Sequence, residues 1–196
     1  MFEPWTGPNY ERSRLLLLGE SAHSWGDGSE HPSPRHSIEL VEETIPDFAK
    51  ATGFMRTLTR GIAGEETPDR AARAAAWNRV AFTNYVSGTV GDAARVRPAS
   101  EMWQTAYEEF PALLDLLQPR TIIVLGLDMW ERMPPTSLHL TKDVQGYRLK
   151  DGGMAMCWAL NHPSAGLSWH RLSNVIAFAV FAAGAPALTA GDATNS

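Results

Sequence analysis

The amino-acid sequence predicts an α/β fold of three layers, α/β/α, with a central, mostly parallel four-stranded sheet. Three observations carry this. The runs "RLLLLGES", "NRVAFTNYVSG", "TIIVLG" and "GMAMCWAL" hold short apolar segments of the kind that strands buried on both faces require. The stretches between them carry helical spacing and helix-start residues. The 196 residues suit one domain that buries a three-layer core.

The elements follow in order. Residues 1–13 are polar and Pro-rich and read as a surface arm, leaving one domain over 14–184. The first strand ends at Gly19-Glu20, and residues 20–36 form a long loop with Gly, Pro and three His. Ser37 is the expected cap of a helix with Ile38, Val41 and Ile45 on one side, interrupted at Pro46 and continued through "FMRTLTRGIAG". Thr67, Pro68 and Asp69 read as N-cap, first position and first turn of the next helix. The second strand ends in Asn84-Tyr85, and a Gly-rich loop containing arginines spans 87–100. Ser100 then caps one or two helices that lead to the third strand and a short helix, "LDMWERM". Residues 134–150 read as a loop with an edge hairpin. The fourth strand runs through "ALNHPSAGLSWHR" into a C-terminal helix, and 185–196 read as a flexible tail. Trp77, Trp103, Trp130 and Trp158 sit in helix or strand patterns and are expected in the core.

Composition narrows the chemistry. The net charge of −5 rules out a bulk polycation, so any nucleic-acid contact needs a local basic face, for which Arg95, Arg97 and Arg171 are available. A single cysteine, Cys157, excludes an internal disulfide, a Cys-based zinc site and an iron–sulfur cluster within the chain. His23, Asp27, His31 and His36 share one loop, but their spacing matches no strong zinc pattern, so no metal is expected. The first residues lack a signal peptide's apolar stretch, and the longest apolar segment, near 175–183, is too short to span a bilayer. A cytoplasmic monomer without membrane contact is the expectation. Phosphate loops, dinucleotide fingerprints and nucleophile elbows are missing from the sequence.

In parallel sheets, ligands bind beyond the carboxyl ends of the strands. Glu20–His23, Thr83–Tyr85 and Asn161–His170 occupy such ends and are expected to converge. An amide such as Asn84 donates and accepts together, which suits the edge of a nucleobase. An imidazole such as His162 donates to an oxygen that gains charge on a leaving group. A carboxylate such as Glu20 holds water or stabilises a cationic sugar. Together these are the parts needed to break a base–sugar bond.

On three motifs, "LLLLGESAH", "VAFTNYV" and "NHPSAGLSWHR", the chain resembles the uracil-DNA glycosylase superfamily over roughly residues 13–183. "LQPRTIIVLG" also looks like a strand of that family. The resemblance implies a metal-independent DNA glycosylase that takes no cofactor, has DNA as its partner and removes uracil or another deaminated or modified base. Glu20 and His162 would be catalytic. Asn84 would bind the base edge, and an aromatic would stack on the base: Trp25 first, Tyr85 second, with His23 nearby. Leu167 would wedge into the base stack, and Ser164, His170 and Arg171 would face DNA. Glu20, Asn84 and His162 would line one cleft with Leu167 at its rim. The first motif departs from the family in having Ser21-Ala22 in place of a proline-containing pair. Two alternatives stay open: a non-catalytic or specialised base- or DNA-binding member, and an enzyme for small nucleosides. Each residue also has a plain structural reading: Glu20 as an arginine's ion-pair partner, Asn84 as a turn residue, His162 as a structural histidine, Leu167 as core.

Overall fold

The computed structural model describes residues 1–22, 33–90 and 96–184. In chain order these form β1 (Trp5–Thr6), α1 (Tyr10–Ser13), β2 (Leu15–Ala22), α2 (His36–Thr44), α3 (Gly53–Ala63), α4 (Arg70–Trp77) and β3 (Val80–Thr89). There follow α5 (Ser100–Leu117), β4 (Thr121–Leu125), α6 (Leu127–Glu131), β5 (Leu138–Thr141), β6 (Val144–Arg148), β7 (Met154–Leu160) and α7 (Trp169–Ala182). The fold is α/β, with helices packed on a mixed sheet.

Among the described residues the sheet has seven strands in the order β1-β3-β2-β4-β7-β6-β5. Its centre is the expected parallel set, β3, β2, β4 and β7. At one edge the β5–β6 hairpin, read in the sequence at 134–150, adds antiparallel to β7; at the other the expectation falls short, because β1, in the stretch read as a surface arm, adds antiparallel to β3. β1 and β5 stay half-buried or exposed, while β6 buries Val144–Tyr147 without an unbroken apolar run. β1 is only two residues long, and such a strand leaves no periodicity to read.

Leu15, Leu16, Leu17 and Leu18 are fully buried, and strand alternation sends them to two cores. Leu16 and Leu18 join Ala81, Tyr85, Trp103, Phe110 and Cys157 on the α5 face. Leu15 and Leu17 join Phe82, Trp77, Leu58, Leu167 and Ile176 on the α3/α7 face. Each such side chain contributes about 1.5–3 kcal/mol by leaving water. Trp77 and Trp103 are buried, while Trp130 and Trp158 pack partly buried against the two cores. Burial also pushes the Cys157 thiol far up, which keeps it an uncharged hydrophobe.

Helix starts shift from their sequence positions. Asp69, not Thr67, caps α4, its side chain accepting from the Ala72 N–H. Ala99 precedes α5 and Arg35 precedes α2, neither with a side-chain cap. Helix α5 runs unbroken through Pro111. On the α3/α7 face, Gly61 lets the two helices approach closely: a Cβ there would lie 2.5 Å from Leu172 Cδ2. This packing holds the loop before α7 against α3. No helix among the described residues is long and apolar enough to cross a membrane.

Candidate functional site

At the carboxyl end of the sheet, the β2–β3 register places Gly19 opposite Asn84. A Cβ on Gly19 would sit 2.3 Å from Asn84 Oδ1 and 3.4 Å from Phe54 Cζ. The missing side chain is what makes room for the amide. Asn84 is 5% exposed. No hydrogen bond joins its side-chain amide to another described residue. Among the described residues Trp158 Nε1 is the fully buried side-chain polar atom that lacks a partner, so the Asn84 amide keeps contact with solvent and carries no such desolvation cost. An accessible amide of this kind can both donate and accept.

Phe54 stands at the start of α3, whose N-cap Thr52 accepts from the Met55 N–H. Its ring stacks on His162, with centroids 5.3 Å apart and planes 21° apart. It tilts against Phe82 at 6.1 Å. His162 follows β7 and precedes the turn Pro163–Ala165. The Ser164 N–H donates to its Nδ1 at 3.2 Å, and Ser164 Oγ lies 2.7 Å from the same nitrogen. A backbone N–H can only donate, so Nδ1 is the acceptor and the imidazole proton resides on Nε2. His162 in this geometry is a neutral donor through Nε2.

Glu20 follows Gly19 in the strand and therefore turns to the opposite face of the sheet. Its two oxygens accept from Arg97 Nη1 at 2.8 and 2.9 Å. Arg97 Nη2 pairs with Asp128 at 2.8 Å. The Glu20 side chain is only 12% exposed, Arg97 59%. Asn84 and His162 thus meet around Phe54, and Glu20 does not share their face. The expectation of one cleft for all three is corrected by the pleat: adjacent residues of a strand cannot both face one side.

Two further expectations are corrected. Tyr85 is buried in the α5-face core against Trp103 and Phe110, at 6.2 and 5.8 Å, on the side away from Asn84. Leu167 is 5% exposed and packs in the α3/α7 core, so it does not stand at a rim as a wedge. Ser164, His170 and Arg171 are exposed as expected, on the turn and on the first turn of α7. Ser168 caps that helix by accepting from the Arg171 N–H. His23, Trp25 and Arg95 lie outside the described residues. Sequence reasoning missed Phe54. Its signal was the Thr52 cap, which marks a helix start but not the strand end that the helix faces. Arg97, read as part of a basic face, is instead occupied by two carboxylates.

No protein-family model matches this chain, and no curated protein matches it.

Proposed function

We propose that the chain is a DNA glycosylase for uracil or a related deaminated or modified base. The observation that carries the reading is the Asn84 amide, reachable from solvent and without a hydrogen bond to another described residue, on the face where Phe54 stacks on His162. The amide reads a base edge, since it offers a donor and an acceptor side by side. Phe54 offers a flat apolar ring to a flat base. As the bond from C1′ to the base nitrogen breaks, its electron pair moves onto the base. The Nε2–H of His162 donates to the base oxygen where that charge collects. Water then adds its oxygen to C1′, and the proton it loses passes to the departing base anion. Glu20, held by Arg97 on the opposite face, takes no direct part in this geometry.

The Glu20–Arg97 pairing favours a second reading, in which the same residues hold a base without cleaving it. The two readings separate in one assay. Purified protein meets oligonucleotides carrying uracil, hypoxanthine or xanthine, single- and double-stranded, followed by alkaline cleavage of abasic sites. Strand cleavage at one base, lost in Asn84→Ala and in His162→Ala, is the result expected for a glycosylase. Binding without cleavage selects the second reading, and unchanged cleavage in both variants removes the site assignment.

A further inference from the structure

The segment after β7 carries a second feature that the proposed base-binding residues do not use. Trp169 and His170, at the first turn of α7, stack on each other with ring centroids 3.6 Å apart and 25° between planes. His170 is exposed and Trp169 half-buried, so the pair is a flat aromatic surface backed by the helix. Arg171 is exposed beside it. Residues 152–184 contain no Asp or Glu, and Arg171 is their one Lys or Arg, while the acidic pair Glu65–Glu66 follows Gly64, which lies beside Ser173 of α7. An acid-free stretch bearing a cation and a ring stack is complementary to a polyanion whose flat bases are accessible.

We infer that the Trp169–His170 stack is a base-stacking platform for single-stranded DNA, and that the protein engages unpaired rather than duplex DNA. This rests on the nucleic-acid reading of Asn84, Phe54 and His162. In a duplex both faces of each base are already covered by neighbours, so a stacking platform gains nothing without unstacking them first. An unpaired strand presents a free base face at no such cost. Leu167, the apolar side chain of this turn that would fill a gap left in a duplex, is committed to the core. Arg171 meets the phosphate of the nucleotide stacked on the platform.

The test uses undamaged DNA, so that it does not depend on base excision. Fluorescence anisotropy compares a labelled single strand with the same sequence as a duplex, for the full chain and for Trp169→Ala, Trp169→Phe and Arg171→Gln. The single strand is expected to bind roughly tenfold tighter than the duplex, and Trp169→Ala to lose roughly tenfold on the single strand alone. Trp169→Phe keeps most of the affinity, because the aromatic face remains. Arg171→Gln lowers the single-strand salt slope by about 0.7. Circular dichroism confirms that each variant is folded. Equal or tighter duplex binding, or an unchanged single-strand affinity in Trp169→Ala, overturns the inference. Selective single-strand binding with no excision of any base would leave it standing and remove only the glycosylase reading.

Discussion

The Phe54 ring lies flat against His162, 5.3 Å between centroids, and so joins the start of α3 to the end of β7. An aromatic pair of this kind contributes about 0.5–1.5 kcal/mol beyond its buried area, and a stacked base adds about 1–3 kcal/mol. Phe54→Leu is therefore expected to keep the fold and to lower single-turnover excision by roughly 10- to 100-fold. A rate equal to that of the parent chain would mean that the ring serves packing alone.

Gly19→Ala tests the room made for Asn84. The added methyl lies 2.3 Å from Asn84 Oδ1, so the amide must move. Overpacking of this kind costs about 1–3 kcal/mol. Base excision or free-base binding should fall further than stability does, which thermal melting and the oligonucleotide assay measure together. A large drop in melting temperature with intact binding would contradict the role assigned to the amide.

Arg97 holds a mostly buried carboxylate on one side and an exposed one, Asp128, on the other. Removing a partner from a buried polar group costs about 1–3 kcal/mol, whereas an exposed ion pair contributes about 0–1 kcal/mol. Urea unfolding should rank Arg97→Ala as the more destabilising change and Asp128→Ala as nearly neutral. Glu20→Gln retains an acceptor for Arg97 and should fall between them.

Leu167 is a core residue, and its truncation should behave as one. Leu167→Ala is expected to cost about 2–5 kcal/mol, and Leu167→Met less than about 1.5 kcal/mol. If Leu167→Ala weakened DNA binding while leaving the unfolding midpoint unchanged, the side chain would be a surface wedge after all.

His36 packs tilted against Phe2, with ring centroids 5.7 Å apart, and burial holds its imidazole below the ordinary histidine range, against the pull of Glu39 and Glu43. The unfolded chain takes up this proton near pH 6.5, as a free histidine does, before the folded chain does. Stability from the neutral ring is thus complete above that pH and declines as pH falls through the lowered folded value. Melting temperature should drop between neutral and mildly acidic pH, and His36→Gln should flatten part of that drop. Equal pH slopes in the two proteins would show that the ring titrates alike folded and unfolded.

Much of this protein is legible in its sequence because its central strands are buried on both faces. "LLLL" and "TIIVL" need no partner to be recognised, since only a strand covered by two helical layers is apolar at every position. The chemistry-bearing residues at strand ends followed from the same reading, and Phe54 packs beside both the Gly19–Asn84 pair and His162. Tertiary structure alone decided the rest. Which of Gly19 and Glu20 faces Asn84 depends on the β2–β3 register, and one step of the pleat sends the carboxylate to Arg97 instead. Phe54 reaches His162 only because α3 packs on α7 through Gly61. Leu167 is core or surface according to how the turn before α7 closes on that packing. Local sequence sets strand and helix because backbone geometry and burial are periodic along the chain. Which side chains meet at a site is set by contacts between elements far apart in sequence, and no local period encodes those.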